Sequence, residues 1–248
     1  MKQLVKTLCR RMGYDIVRRR PVRVHDMDEA FFPIFEKCHP ISMTSMEAKY
    51  ALYGAIDYVI DNGIPGDFVE CGVWKGGSCL LMAETMARRG VTDRRIYLYD
   101  TFAGMAEPED VDIRDSSGEK AHPKWQALQR DDHNEWCYSP LEEVKANLAQ
   151  TDYPQDQFVF VPGKVEDTIP GTVPGKIAIL RLDTDWYGST RHEMEHLFPR
   201  IPRGGILIVD DYGALRGSRR AVDEYLQERG IKLFLQRLDF SARLAIVG

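Results

Sequence analysis

The fold is decided by the stretch GDFVECGVWKGGS at residues 66–78. It contains a short apolar run over Asp67–Cys71, a loop with three glycines, and the start of a helix predicted over Ser78–Arg89. A run that is apolar almost throughout, rather than at alternate positions, indicates a strand covered on both faces, as in a parallel sheet. The passage from strand through glycine loop into helix therefore predicts a β-α-β unit.

The same pattern returns along the rest of the chain. Further strands are predicted at Ile96–Tyr99, Phe158–Val161, Ile177–Leu182 and Gly205–Val209. Further helices are predicted at Leu141–Leu148, Ser189–Phe198 and Ser218–Arg229. Two last strands, Lys232–Arg237 and Arg243–Val247, are too close in sequence for a crossover and should pair antiparallel. The pattern predicts an α/β fold, a doubly wound, mostly parallel seven-stranded sheet with an antiparallel C-terminal strand.

Composition bounds the class of protein. The 248 residues are 44% hydrophobic, which argues against a disordered chain, and no apolar run reaches the length of a membrane span. A net charge of -5 argues against a nucleic-acid binder. Five cysteines without a C-x-x-C pair indicate reduced thiols in a cytoplasmic chain. We expect one main domain over 63–248, preceded by a helical segment over 1–62 that caps it or contacts another copy.

The first twenty residues carry seven bases and one acid, with apolar residues at helical spacing. They predict an amphipathic helix. One interpretation docks this helix on its own domain or on a sister subunit, which makes a homo-oligomer the expected state. The other is a weak contact with an anionic membrane surface.

Residues 103–137 interrupt the repeat with nine acids, four bases and no clear periodicity. They follow the second predicted strand, whose carboxyl end faces the crevice where doubly wound sheets bind ligands. A long connection at this place favours a functional lid, and plain disorder is the alternative.

The glycine loop favours a cationic nucleoside ligand. Its spacing is G-x-x-x-G-G, and the strand before it ends near Glu70, which would repel a phosphate but suits a sulfonium group. Asp100, at the end of the second strand, is placed to accept hydrogen bonds from ribose hydroxyls. Together they predict a pocket for S-adenosylmethionine. The alternative is a loop that only turns the chain. The predicted loop contacts are Gly72, Val73, Gly76 and Ser78.

Acidic residues follow two later strands. Asp183 ends the fourth, and Asp210 and Asp211 end the fifth, so they should converge at one edge of the sheet. Converging carboxylates repel unless a cation joins them, and all-oxygen ligands favour Mg²⁺. Such a metal would activate a hydroxyl while Asp183 takes its proton. The alternative is that each acid caps the following helix, and Asp185 best fits that role.

Four blocks resemble the macrocin O-methyltransferase (TylF/MycF-type) family of class I, S-adenosylmethionine-dependent enzymes. They are residues 66–78, YDTFAGM at 99–105, LRLDTDWYGST at 180–190, and GGILIVDDYG at 204–213 with RRAVDEY downstream. The resemblance runs from about Ser42 to Leu226 and implies Mg²⁺-dependent methylation of a sugar hydroxyl, with a sugar or glycosylated small molecule as acceptor. It assigns the metal to Asp183, Asp210 and Asp211, and the cofactor to Glu70, Gly72, Ser78 and Asp100. It adds Met43, Thr44, Phe102 and Gly163 as cofactor contacts.

Three other classes compete with this interpretation. His192–His196 spells H-E-x-x-H, the pattern of zinc peptidases, although solvated histidines are the ordinary explanation. An NAD(P)-dependent oxidoreductase shares the fold, but the glycine spacing opposes it. A catalytically inactive partner subunit is the third, and the clustered acids argue against it. Trp186 and Tyr187 fit either a sugar-stacking or a packing role, and His133 either a substrate contact or a solvated loop position.

Overall fold

The structure is a computed structural model that describes residues 26–248. The helix predicted within residues 1–20, with its self-association or membrane contact, lies outside the described residues. None of the helices in the described part is both long and apolar enough to cross a membrane. The four described cysteines, Cys38, Cys71, Cys79 and Cys137, form no disulfide with one another.

Seven strands form one sheet, in the order β3-β2-β1-β4-β5-β7-β6. The strands are β1 Asp67–Cys71, β2 Ile96–Asp100, β3 Phe158–Pro162, β4 Ile177–Leu182, β5 Ile206–Val209, β6 Gln236–Arg237 and β7 Arg243–Ile246. The first five run parallel, and β7 is antiparallel to both of its neighbours. The predicted fold class is confirmed. The final hairpin is shorter than predicted, because β7 pairs along its whole length with β5 and only at Arg243 and Leu244 with β6.

Helices cover both faces of the sheet. They are α1 Phe31–Cys38, α2 Met46–Asp61, α3 Gly77–Arg88, α4 His122–Leu128, α5 Leu141–Leu148, α6 Val165–Thr168, α7 Tyr187–His196 and α8 Arg216–Glu228. Single 3₁₀ turns lie at His39–Ile41, Gln155–Gln157 and Phe198–Arg200. One apolar core joins α1, α2 and α3 to a face of the sheet, and a second joins α7 and α8 to the other. Burial on both faces explains why the strands are apolar throughout.

Strand register brings the functional loops together. Cys71 lies opposite Tyr99 on one side and Leu182 on the other, and Leu182 lies opposite Val209. The residues that follow β1, β2, β4 and β5 therefore share one edge of the sheet. In the sheet, β2 lies on one side of β1 and β4 lies on the other, so the strand order reverses at β1. A crevice opens at the carboxyl edge where the order reverses, and doubly wound folds bind ligands there.

Residues 103–137 are folded against the domain. Buried Asp112 accepts hydrogen bonds from the backbone N–H groups of Tyr187, at 2.8 Å, and Glu109, at 2.7 Å. Asp115 forms 2.9 Å ion pairs with Arg216 and Arg219 of α8. These contacts fix the segment to α7 and α8, in contrast to the disorder alternative. Its role as a lid stays a prediction.

Candidate active site

Three carboxylates converge at the carboxyl edge of the sheet. Asp183 follows β4, Asp185 lies two residues further on, and Asp211 follows β5; one oxygen of each lies within 4.8 Å of the others. Burial and mutual repulsion raise the pKa of Asp183 and Asp211 well above the ordinary value, and that of Asp185 to about 7. Asp211 Oδ2 is buried and has no hydrogen-bond partner among the described residues. Such a cluster is costly until a cation or a proton joins it.

The predicted metal set of Asp183, Asp210 and Asp211 shares two members with this cluster and stays a prediction. Asp185, predicted to cap the next helix, is the third member of the cluster, and Asp210 is paired with Arg181. Asp185 makes no cap, because the N-cap residue of α7 is Trp186, which has no side-chain cap bond. The first helical N–H group is instead satisfied by Asp112, from the 103–137 segment.

A buried cation, Arg181, lies beside these acids on β4 with only 2% of its surface exposed. Its Nη2 donates to Asp210 Oδ1 at 2.6 Å, and its Nη1 donates to Glu70 Oε1 and to Asp183 Oδ2. Burial alone would lower the pKa of this guanidinium, but these three acids raise it well above its ordinary value. A single charged residue within the apolar strand IAILRL was the available signal for this internal cation.

The arginine also defines the position of Thr44. Nη2 of Arg181 donates to Thr44 Oγ1 at 3.0 Å, so the segment before α2 is joined to the strand ends. Glu70, predicted to face a sulfonium group, is buried and has Arg181 as its cation. Burial raises the pKa of Glu70, and the arginine partly offsets that rise.

Asp100 organises the glycine loop. Its Oδ2 accepts hydrogen bonds from the backbone N–H groups of Val73, at 2.8 Å, and Trp74, at 3.1 Å, and its Oδ1 accepts from Phe102 at 2.7 Å. Gly72 has a φ of +82°, and a Cβ there would lie 2.0 Å from the Asp183 carbonyl oxygen. The loop glycine therefore permits close approach to β4, whereas the sequence suggested close approach to a ligand.

Two adjoining cavities open at this edge. Met43, Trp74, Asp183 and Asp185 line both of them. The first cavity is also lined by Gly72, Tyr99, Asp100, Thr101, Gly104, Met105, Gly163 and Glu166. The second is also lined by Thr44, Glu70, Val73, Ser78, Arg114, Asp210, Asp211 and Phe240. Two carboxylates of the cluster, Asp183 and Asp185, thus line both spaces, and Asp211 lines the second, which suits a transfer from one bound molecule to another.

Two predicted cofactor contacts, Phe102 and Gly76, line neither cavity, and their contact with the cofactor stays a prediction. Phe102 is buried in the core, with its ring centroid 6.5 Å from that of Phe160, and is not among the residues lining either cavity. Gly76 has a φ of +85° and forms the N-cap of α3, where an added Cβ would meet the Val144 side chain. Both positions need their residues for the backbone path and packing.

The remaining candidates make contacts within the protein, and their roles toward a substrate stay open. His192 Nε2 lies 2.9 Å from the Ile169 carbonyl oxygen, while buried Glu193 accepts a hydrogen bond from Thr184 at 2.9 Å. The H-E-x-x-H pattern therefore directs its glutamate into the protein, away from a shared metal site. Trp186 is buried and donates to the Ala106 carbonyl, and the Tyr187 hydroxyl donates to Glu224. His133 lies 2.7 Å from an Asp132 oxygen and stacks on Tyr138.

The strand order and the loop after β1 are those of class I O-methyltransferases, which use S-adenosylmethionine. Residues 36–244 match the family model described as Macrocin-O-methyltransferase (TylF). The chain belongs to this family. The oxidoreductase, zinc peptidase and inactive-subunit alternatives are not favoured.

Named relatives agree with the family. The chain is 36% identical over 198 residues to an 8-demethyl-8-(2,3-dimethoxy-alpha-L-rhamnosyl)-tetracenomycin-C 4'-O-methyltransferase of Streptomyces olivaceus, covering 80% of this chain and 72% of that protein. It is 32% identical over 200 residues to a mycinamicin III 3''-O-methyltransferase of Micromonospora griseorubida, covering 80% and 75%. The solved structure of the O-methyltransferase NovP is similar, with a TM-score of 0.72 and 32% identity over 84% of this chain and 82% of that one.

Proposed function

We propose that this protein transfers the methyl group of S-adenosylmethionine to a hydroxyl of a sugar or glycosylated small molecule, and that the transfer depends on Mg²⁺. The observation that carries the proposal is the carboxylate cluster, of which Asp183 and Asp185 line both cavities. The sugar acceptor is supported by a relative named for methylating a rhamnosyl-tetracenomycin. Cytoplasmic location and self-association stay predictions.

The residues of the cluster fit a magnesium ion. Asp183, Asp185 and Asp211 offer only oxygen ligands, which a hard dication prefers. The buried Asp211 Oδ2, with no hydrogen-bond partner among the described residues, is the kind of atom that a cation satisfies. Held by these side chains, Mg²⁺ would lower the pKa of an acceptor hydroxyl.

The chain's own groups supply the remaining steps. Arg181 fixes one oxygen of Asp183, which orients that carboxylate at the boundary of the two cavities. In this proposal Asp183, the base expected from the sequence, accepts the proton of the acceptor hydroxyl. The hydroxyl oxygen then attacks the donor methyl carbon as the carbon–sulfur bond breaks. Opposite charges are neutralised in this transition state, so a site partly enclosed from water, at the boundary of the two cavities, favours the methyl transfer.

A labelled-donor screen tests the proposal. Purified protein is assayed against glycosylated metabolites and nucleotide sugars with Mg²⁺ and with a chelator, and metal binding is followed by calorimetry. We expect transfer to a sugar hydroxyl that the chelator abolishes, and a loss of about 100-fold or more for Asp211→Asn, since a metal-held step is removed.

The matched control is Asp223→Asn, whose carboxylate accepts from the Tyr212 hydroxyl and lies outside the cluster. It should keep full activity and metal binding. Undiminished transfer in the chelator would contradict the metal dependence. Binding of S-adenosylhomocysteine without transfer to any sugar would contradict the acceptor class.

A further inference from the structure

Two basic side chains of the 103–137 segment are left without acidic partners. Of its four bases, Lys120 pairs with Asp110 at 2.7 Å and Arg130 pairs with Glu135 at 2.5 Å. Arg114 and Lys124 form no ion pair with any described residue, although the segment holds nine acids. The segment has more than enough acids to pair all four bases, yet these two cations are placed away from them.

The two unpaired cations meet at one aromatic side chain. Lys124 Nζ lies 3.7 Å from the centre of a Trp136 ring, and the Arg114 guanidinium carbon lies 5.7 Å from it. Trp136 is itself fixed by an edge contact with buried Trp186, at 5.5 Å between ring centroids. The cations are therefore held near one another by cation–π contacts, despite their mutual repulsion.

This pair stands beside the second cavity. Arg114 lines that cavity together with Asp185 and Asp211, and Lys124 lies near Arg114 because both contact the Trp136 ring. The lining of this cavity thus combines several carboxylates with one guanidinium, next to the predicted cofactor contacts Thr44, Glu70 and Ser78. An acceptor that enters it beside the cofactor should present hydroxyls to the carboxylates and negative charge to Arg114.

We infer that Arg114 and Lys124 bind a phosphate or diphosphate group on the acceptor sugar. The inference rests on the proposed function and narrows its substrate to phosphorylated sugars such as nucleoside diphosphate sugars. A guanidinium offers planar paired donors and an ammonium a compact charge, and phosphate oxygens accept from both. Binding would also relieve the repulsion between the two cations.

The test measures anion binding directly. Protein saturated with S-adenosylhomocysteine, in a chelating buffer, is titrated calorimetrically with thymidine diphosphate and with inorganic diphosphate. We expect binding by the wild type that weakens about tenfold or more in the Arg114→Gln, Lys124→Gln double variant and falls with added salt, because both cations contribute. Lys120→Gln, on the same segment but already paired with Asp110, should change the affinity by no more than about twofold.

The outcomes separate the two proposals. If neither diphosphate binds the wild type, or if the double variant binds both as tightly, the inference is overturned. Binding of either probe through the two cations supports it. Methylation of neutral glycosides without diphosphate binding would overturn the inference and leave the proposed function intact. Cation-dependent diphosphate binding without transfer to any sugar would contradict only the proposed function.

Discussion

At the scale of single residues, Lys49 is an unusual buried cation. It is fully buried on α2, its Nζ donates to the Thr44 carbonyl oxygen, and it lies 5.5 Å from the Phe35 ring centre. Burial, aided by the charge of Arg181, lowers the pKa of Lys49 to about 8. The contact fixes the segment before α2, which lines the second cavity, at the cost of burying a charge.

This pKa predicts a pH-dependent stability. Between the folded pKa of about 8 and the ordinary 10.5, the unfolded chain binds more protons at Lys49 than the folded chain does, so the folded state gains stability as pH rises. Relative to Lys49→Met, the wild type should gain about 2 kcal/mol between pH 7 and pH 9.5. Urea unfolding at several pH values measures this difference.

The control for Lys49 is Lys145→Met, whose amine is exposed and pairs with Glu142. Its free energy of unfolding should follow the wild type at every pH. A gap between wild type and Lys49→Met that stays constant with pH would refute the prediction.

At the scale of elements, the turn after β1 depends on Gly72. An alanine there would need a left-handed backbone and would place its Cβ 2.0 Å from the Asp183 carbonyl oxygen. Gly72→Ala should therefore destabilise the protein by more than about 3 kcal/mol, since strain and collision add. It should also weaken S-adenosylhomocysteine binding, as measured by calorimetry.

Gly63 provides a matched comparison for this turn. Its φ is +60°, but an added Cβ would meet no atom within 4 Å. Gly63→Ala should cost only about 1 kcal/mol, the strain of the left-handed backbone alone. Equal unfolding midpoints for the two variants would show that the contact with β4 contributes nothing.

The elements themselves were largely predictable from sequence. Strands covered on both faces leave continuous apolar runs, so β1 to β5 were found to within a residue or so at each end. The start of α7 was misplaced, because its first N–H group is satisfied by Asp112, 75 residues away in sequence. Local sequence cannot report a cap that comes from another segment.

At the scale of the whole molecule, Arg181 connects parts of the chain that are far apart in sequence. It joins the end of β1 through Glu70, the end of β5 through Asp210, and the segment before α2 through Thr44. Arg181→Met should destabilise the whole domain by about 3–5 kcal/mol, because it leaves buried carboxylates without their cation. Chemical unfolding measures the loss.

Arg191→Met is the comparison for this variant. That arginine pairs with Glu195 and Glu228 on the solvent side of α7 and α8, where an ion pair contributes less than about 1 kcal/mol. If both variants unfold at the same denaturant concentration, Arg181 is not the internal counter-charge described above.

The contacts of Arg181 are the part of the site that could not be predicted from the sequence. Convergence of acids followed from strand order, so Asp183 and Asp211 were placed together correctly. The ion pair of Asp210 with Arg181, and the place of Asp185 beside Asp183 and Asp211, were not foreseeable from the sequence pattern. Which buried side chains pair depends on packing in three dimensions, and the sequence pattern alone does not determine it.

The Asp112 cap has a consequence for how this enzyme can diverge. The segment that carries it borders both the helix it caps and the second cavity, so a residue that lines the cavity and the residue that starts the helix share one stretch of chain. A transplanted loop from a relative would have to bring its own carboxylate to the Tyr187 amide. A loop without that carboxylate would leave the Tyr187 N–H group unsatisfied and would destabilise the first turn of α7.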